Sequence, residues 1–117
     1  MRKISIITIT YNAEAFLERT IKSILAQTCQ DFEYIIIDGK SKDGTLAIAE
    51  KYRSRVDLLV SEPDKGLYDA MNKGIANARG KYLIFLNAGD EFYESDTIKK
   101  VFQCAENADV YYGDTTI

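Results

Sequence analysis

The sequence contains no histidine, a single proline and only two cysteines. Without histidine there is no Ser-His-Asp or Cys-His catalytic arrangement and no zinc site built on imidazole ligands. The two thiols, Cys29 and Cys104, are expected to be reduced and to serve only in packing or at the surface. Any catalytic acid, base or metal ligand must therefore come mainly from the 18 aspartates and glutamates.

The chain also lacks an excess of positive charge and a long hydrophobic run. Its net charge is −3, which argues against a nucleic-acid partner held by bulk electrostatics. No apolar run approaches the roughly 18 residues that a membrane span needs. No small-residue cleavage site follows the amino terminus, so no signal peptide is predicted and the expected location is cytoplasmic. The 117 residues make a single domain.

Predicted strands and helices alternate along the chain. Short runs rich in β-branched or apolar residues predict strands at 4–10, 33–37, 56–60, 81–86 and 109–112. Helical spacing predicts helices from a cap at Asn12 to about 27, then at 46–52, 67–78 and 96–105. This order favours an α/β fold, a mainly parallel sheet with right-handed crossovers and helices on both faces. The chain is predicted to stop in mid-fold, as a fragment would.

Acidic residues follow four of the five predicted strands. They are Asp38, Asp64, Asp90 and Asp114, with Glu62 and Glu91 beside them. Ligands of open parallel sheets bind beyond the carboxyl ends of the strands, so these acids are expected to share one edge. A single aspartate such as Asp43 is more often a turn residue. Carboxylates from four loops, however, repel one another unless they are neutralised, and Mg²⁺ or Mn²⁺ bridging to a diphosphate is the predicted neutraliser.

The sequence lacks known phosphate-binding loops, and its loops also do not match a nucleotidyltransferase or a phospho-receiver domain. Neither G-x-x-x-x-G-K-[ST] nor a G-x-G-x-x-G after the first strand is present. The phosphates of any bound nucleotide would therefore be held by metal, by lysine or arginine, or by helix N-termini. A nucleotidyltransferase usually opens with a glycine-rich basic loop at that point. A phospho-receiver domain needs an acidic pair there and a lysine after the fifth strand, where this chain has Thr10-Tyr11-Asn12 and Gly113-Asp114. A non-catalytic nucleotide-binding module stays an alternative.

Five blocks resemble family 2 glycosyltransferases and together cover nearly the whole chain. They are SIITITYN (5–12), SILAQT (23–28), IIDGKSKDGT (36–45), SEPDKGLYDAMNKGI (61–75) and ARGKYLIFLNAGD (78–90). The fourth looks like a bacterial branch that makes capsule, exopolysaccharide or lipopolysaccharide. The resemblance implies a Rossmann-like GT-A fold that binds a nucleotide-diphospho-sugar, commonly UDP-linked. It also implies inverting transfer to a saccharide or lipid-linked acceptor, with a carboxylate base and a divalent metal.

The resemblance places the base of the nucleotide near the ends of the first two strands. Tyr11 matches the position that packs on the base, and Thr10 either lines the same pocket or is a buried strand residue. Asp38 matches the carboxylate that pairs with the uracil edge. Many relatives have Asp-Asp-Gly-Ser where this chain has Asp-Gly-Lys-Ser at 38–41, which leaves the position of that contact open by one residue.

The remaining predicted nucleotide contacts follow the third strand. Asp64 and Lys65 either reach the ribose or phosphates or form a solvated charge pair. Asp69, Asn72 and Lys73 are spaced i, i+3 and i+4 on a predicted helix. They therefore share a face, which is expected to point to the nucleotide.

The metal site departs from the family pattern. Many relatives have Asp-x-Asp-Asp where this chain has Asn-Ala-Gly-Asp at 87–90, so Asp90 is the one carboxylate kept and Asn87 offers an amide oxygen. Three explanations stay open: Asp90 binds Mg²⁺ or Mn²⁺ together with diphosphate and water, which we favour; the metal requirement is weaker; or activity is lost. The catalytic base and acceptor surface are expected beyond Ile117, and a full-length protein could associate peripherally with the inner face of a membrane.

Overall fold

The computed structural model describes residues 4–90, 92, 97 and Val110–Tyr112. In chain order the elements are β1 (Ile4–Thr10), α1 (Leu17–Leu25), β2 (Phe32–Asp38), α2 (Thr45–Lys51), a short 3₁₀ turn (Arg53–Arg55), β3 (Leu58–Ser61), α3 (Leu67–Asn77), β4 (Tyr82–Phe85) and β5 (Val110–Tyr112). Within these ranges no helix is long and apolar enough to cross a membrane.

All five strands run parallel in one sheet with the order β3-β2-β1-β4-β5. The chain winds outward from β1 through β2 to β3, then returns to place β4 on the other side of β1. Open sheets of this kind bind ligands where the strand order reverses, at the carboxyl ends of the strands. The fold therefore points to the crevice between β1 and β4 and to the loops beside it.

The helices cover both faces of the sheet, as predicted. Side chains alternate along a strand: Ile6 of β1 packs with α1 and α2 around Ile21, whereas Ile7 packs on the opposite face with Ala70 of α3. All seven residues of β1 are buried. Burial on both faces explains why its sequence is a nearly continuous run of β-branched residues.

The predicted cap at Asn12 is wrong. Helix α1 begins at Leu17 after Phe16, which makes no side-chain capping hydrogen bond. Asn12 has a left-handed backbone with φ of 47°, and its Oδ1 accepts a hydrogen bond from the backbone N–H of Lys42 at 2.8 Å. Its side chain is thus used between two loops, since asparagine tolerates this backbone conformation and bonds readily to nearby main chain.

Strand β1 has the predicted bounds, and most of the other element boundaries differ from the predicted ones by one or two residues. Strand β3 begins at Leu58 because the chain first completes the 3₁₀ turn at Arg53–Arg55. The predicted fifth strand is confirmed by the parallel pairing of Leu83 with Val110. Of the predicted helix at 96–105, the structure describes only residue 97, which is helical.

An ion pair joins α1 to the end of α2. Glu18 Oε2 accepts hydrogen bonds from Lys51 Nζ at 2.8 Å and from Tyr52 OH at 2.5 Å. These two donors, Lys51 first, lower the pKa of Glu18 from 4.5 to about 2. Because the pKa in the folded state lies below the ordinary value, ionised Glu18 stabilises the fold above pH 4.5, and this contribution is lost as the pH falls toward 2.

We expect Glu18→Gln to lower the free energy of unfolding at neutral pH. The difference from wild type should shrink between pH 4.5 and pH 2. Urea unfolding at several pH values measures it, with Glu50→Gln as control because that exposed carboxylate pairs within its own segment with Arg53. A difference that did not change with pH would show that packing of the side chain, rather than its charge, stabilises this contact.

Candidate functional site

A cavity of about 590 Å³ opens at the carboxyl ends of β1, β2 and β3. Its lining comes from the three loops that follow these strands: Tyr11; Gly39, Lys40, Ser41 and Lys42; and Pro63, Asp64 and Gly66. Two of the predicted nucleotide-binding residues, Tyr11 and Asp64, therefore face one space. The convergence follows from the parallel sheet, in which all carboxyl ends lie at the same edge.

Asp38 lies beneath this cavity and is fully buried. Its Oδ1 accepts a hydrogen bond from Ser41 Oγ at 2.5 Å, and its Oδ2 accepts from Ser41 N at 3.0 Å and Ser61 Oγ at 2.8 Å. The carboxylate thus accepts from three donors, two in the loop after β2 and one at the end of β3. The structure places Asp38 as the anchor of the loops and does not bring it into the lining, where the predicted uracil contact would need it.

Two lysines that were not among the predicted site residues line the cavity. Lys40 and Lys42 are both exposed, and Lys40 has φ of 63°. A left-handed backbone costs a non-glycine residue roughly 1–2 kcal/mol. Hydrogen bonds to Asn12 hold the loop in place, from Asn12 N to Ser41 Oγ and from Lys42 N to Asn12 Oδ1, both at 2.8 Å. The loop therefore carries positive charge suited to phosphate, and only its position after β2 could have signalled this.

The polar face of α3 holds the preceding loop. Lys73 Nζ donates to the carbonyl oxygen of Pro63 at 2.7 Å and lies 3.3 Å from Glu62 Oε1 and 3.6 Å from Asp69 Oδ2. Asp69 Oδ2 also accepts a hydrogen bond from Lys65 N at 2.9 Å. The shared face predicted from the spacing exists.

That face is not part of the cavity wall. Lys65, Asp69, Asn72 and Lys73 are all absent from the residues that line the cavity. Asp69 and Lys73 contact the loop at 62–65 instead, and Asn72 is exposed. Two of these predicted contacts, Asp69 and Lys73, instead hold the loop that carries Asp64.

A tight turn after β4 lies beside the end of β1. The N–H groups of Leu86 and Ala88 donate to the carbonyls of Ile7 and Ile9, which extends the pairing beyond β4. Within the turn Asp90 N donates to Asn87 O at 2.8 Å. Together these bonds set residues 87–90 at the β1–β4 crevice.

Buried Thr20 of α1 clamps this turn, a role that the sequence did not reveal. Its Oγ1 donates to Asp90 O at 2.7 Å and accepts from Gly89 N at 2.9 Å. A threonine in the middle of a helix carries no sign of such a partner, which lies about seventy positions away in the chain. The clamp fixes the backbone from which Asn87 and Asp90 project.

Two buried oxygens at this crevice have no partner. Thr10 Oγ1, at the end of β1, and Asn87 Oδ1 make no hydrogen bond within the described part of the chain. Buried polar groups are nearly always paired, so orphans of this kind mark a place for a ligand, an ion or water. Both residues were predicted site residues, and the structure brings them to adjacent strand ends.

The crevice fits a divalent cation in part. No group of three His, Cys, Asp or Glu side chains that could hold a metal occurs among the described residues. The amide oxygen of Asn87 is a suitable ligand, and half-buried Asp90 lies in the same turn. Mg²⁺ usually keeps several waters and needs only one or two carboxylates besides phosphate oxygens, so two protein ligands are compatible with an ion shared with a diphosphate. Asp114 and Glu91 lie outside the described residues.

A sequence model described as Glycosyl transferase family 2 matches residues 5–116. The chain belongs to this family. The match includes all five blocks of the sequence and every residue of the cavity wall. In this family 2 member, the cavity and the β1–β4 crevice both lie at the carboxyl edge of the sheet.

Curated family 2 relatives are longer than this chain. A PGL/p-HBAD biosynthesis glycosyltransferase of Mycobacterium bovis (strain BCG / Pasteur 1173P2) is 41% identical over 116 residues, which cover 94% of this chain and 45% of the relative. A cholesterol galactosyltransferase of Borreliella burgdorferi is 35% identical over 112 residues, covering 92% and 31%. The chain thus spans less than half the length of these two glycosyltransferases.

Solved glycosyltransferases share the fold. S. aureus TarS 1-349 in complex with UDP-GlcNAc superposes with a TM-score of 0.80 at 28% identity, over 88% of this chain and 30% of that one. A mannosyltransferase of Pyrobaculum calidifontis in complex with GDP-Man and Mn²⁺ gives 0.82 at 23% identity, over 92% and 33%; at that identity the likeness concerns the fold alone. The predicted GT-A fold is confirmed.

Proposed function

We propose that this chain forms the donor-binding part of an inverting glycosyltransferase that uses a UDP-sugar. The observation that carries the proposal is the cavity of about 590 Å³ in which an aromatic ring, two lysines and a carboxylate meet at the carboxyl edge of the sheet. Nucleotide-diphospho-sugars present an aromatic base and two negative phosphates, so these side chains match them in kind. TarS, a similar structure at 28% identity, binds UDP-GlcNAc.

The base would stack on Tyr11. Its side chain is 55% exposed in the cavity wall, an unusual exposure for a tyrosine that directly follows a buried strand. Stacking of a base on an aromatic side chain contributes about 1–3 kcal/mol. Lys40 and Lys42 supply positive charge to the same space, suited to the phosphates.

The diphosphate would extend toward the β1–β4 crevice. A bound Mg²⁺ or Mn²⁺ would be held there by Asn87 and Asp90 and would neutralise the charge of the departing diphosphate. Thr20 keeps the turn in place through its bonds to Gly89 and Asp90. Transfer then needs an acceptor hydroxyl, of a saccharide or a lipid-linked glycan, and a carboxylate base that deprotonates it, which we place in the part of the relatives that this chain does not span.

Tyr11→Ala is expected to weaken UDP binding roughly 5- to 150-fold, because about 1–3 kcal/mol of stacking is lost. Tyr11→Phe keeps the ring and should bind nearly as well as wild type. Calorimetric titration with UDP in the presence of Mn²⁺ measures all three proteins.

Phe16→Ala provides the matched control. Phe16 is a second exposed aromatic residue, 52% accessible, and it does not line the cavity, so its removal should leave UDP affinity unchanged. Replacing Mn²⁺ with EDTA should weaken binding if the crevice shares an ion with the diphosphate. Folded wild-type protein that fails to bind UDP, or equal losses in Tyr11→Ala and Phe16→Ala, would refute the proposed function.

A further inference from the structure

We propose that Asp64, seated over Gly39, reads the edge of the base and makes the site select uracil over cytosine. The inference rests on the proposed function and concerns the specificity of the same site. A β-carbon built on Gly39 would lie 2.8 Å from Asp64 Oδ2 and 3.2 Å from Tyr11 Cδ1. The carboxylate therefore occupies the place of a missing side chain, next to the ring on which the base is proposed to stack.

One carboxylate oxygen of Asp64 has no hydrogen-bond donor among the described residues, whereas both oxygens of Asp38 accept hydrogen bonds. Its Oδ1 accepts a hydrogen bond from the backbone N–H of Gly66 at 3.1 Å, which fixes the side chain to its own loop. Its Oδ2 accepts no hydrogen bond from any residue that the structure describes, and Asp64 lines the cavity. The carboxylate is thus held by one oxygen and presents the other to a ligand.

Gly39 is needed for space and not for its backbone conformation. Its φ lies outside the left-handed region, so any residue could adopt this backbone. A contact of 2.8 Å between a β-carbon and a carboxylate oxygen is too short, so a side chain at position 39 would expel the Asp64 carboxylate. Glycine at this position keeps the slot open for a carboxylate that comes from another loop.

An ionised carboxylate can only accept hydrogen bonds. Uracil offers the ring N3–H as a donor, whereas cytosine, which has the same shape, has an unprotonated N3 that would face the carboxylate lone pairs. A site built to hydrogen-bond one group rejects an isostere that lacks it far better than a hydrophobic pocket does. The geometry therefore favours UDP over CDP.

The isosteric variant Asp64→Asn tests this directly. Its amide oxygen can still accept from Gly66 N, and its NH₂ group places a donor where Oδ2 lies. We expect wild type to bind UDP at least tenfold more tightly than CDP, and we expect the ratio of the two Kd values to fall at least tenfold in Asp64→Asn. Calorimetry with UDP and CDP measures the ratio. Asp31→Asn removes the same charge from an exposed position just before β2, at the opposite edge, and should leave the ratio unchanged.

The outcomes separate this inference from the proposed function. A wild-type protein that does not bind UDP refutes the proposed function. Wild type that binds UDP, with Asp64→Asn either unchanged or weakened equally toward UDP and CDP, overturns the inference alone. A fall of the ratio in which Asp64→Asn binds CDP at least as tightly as wild type supports it, because loss of structure would weaken the binding of both nucleotides. A fall that is accompanied by weaker CDP binding overturns it.

Moving the carboxylate gives an independent test. Gly39→Asp alone should weaken UDP binding more than tenfold, because the introduced carboxylate and that of Asp64 cannot both occupy the space above residue 39. In the double variant Gly39→Asp/Asp64→Ser the carboxylate comes from the end of β2, and the introduced serine hydroxyl can still accept from Gly66 N. At least tenfold recovery of UDP affinity relative to Gly39→Asp is expected. A double variant that gives a wild-type circular dichroism spectrum but no recovery would overturn the shared slot.

Discussion

Gly80→Ala is expected to lower the free energy of unfolding by about 3 kcal/mol, through overpacking of typically 1–3 kcal/mol and the weakening of a hydrogen bond. A β-carbon on Gly80 would lie 2.6 Å from both Ser5 N and Ser5 Oγ and 2.7 Å from the carbonyl carbon of Ile4. These are mainly backbone atoms of the central strand and cannot move without disturbing the pairing of β1 with β4. Urea unfolding followed by circular dichroism measures the loss.

The close approach is stabilised by a polar network at the amino ends of the strands. Gly80 N donates to Ser5 Oγ at 2.8 Å, and Ser5 Oγ donates to Glu33 Oε1, also at 2.8 Å. Ala76→Gly is the control, since it changes one methyl group on the exposed side of α3 and should cost about 1 kcal/mol. A loss for Gly80→Ala no larger than that of Ala76→Gly would contradict rigid packing of Gly80 against Ile4 and Ser5.

Asp38→Ala should weaken UDP binding more than tenfold and lower the free energy of unfolding by about 2–4 kcal/mol. The substitution leaves Ser41 N, Ser41 Oγ and Ser61 Oγ without the buried acceptor that they share. The loops after β2 and β3 lose their common anchor, and these loops form most of the cavity wall. UDP titration at a temperature where the variant is folded, together with urea unfolding, gives both quantities.

Base selectivity distinguishes a positioning residue from one that contacts the base. If Asp38 acts through the loops, Asp38→Ala weakens the binding of both UDP and CDP and changes their ratio less than Asp64→Asn does. Ser61→Ala should give a smaller loss of the same kind, because Ser61 donates to Asp38 and does not line the cavity. A UDP-to-CDP ratio that changed in Asp38→Ala as much as in Asp64→Asn, with no effect of Ser61→Ala, would indicate that Asp38 itself contacts the base.

The sequence predicted the architecture well because burial dictates it. Strand β1 has the predicted bounds, Ile4–Thr10, since a parallel strand covered on both faces requires a short, continuous run of β-branched residues. The error at Asn12 has an equally physical origin: asparagine suits both a helix cap and a left-handed loop residue. The choice between them depended on Ser41 and Lys42, which lie about thirty positions away in the chain.

The candidate site was predictable as a location and less so in its details. Aspartates after the predicted parallel strands indicated a ligand site at the carboxyl edge of the sheet, and Tyr11 and Asp64 do line one cavity there. Spacing alone also indicated a shared face for Asp69 and Lys73, but it carried no information on what that face contacts. The carbonyl oxygen of Pro63 proved to be a partner of Lys73.

From its amino acids alone this chain could be assigned its parallel sheet, its helices on both faces and its family, since these follow from local patterns of burial and from contiguous motifs. The tertiary structure decided what each carboxylate does. Asp38 and Asp64 both follow a strand in the sequence. In the structure Ser41 and Ser61 donate hydrogen bonds to Asp38, whereas Asp64 lies over Gly39 and presents its Oδ2 to the cavity. A carboxylate's role depends on the donors within about 3 Å of it, and residues far apart in the chain supply those donors only once the chain has folded.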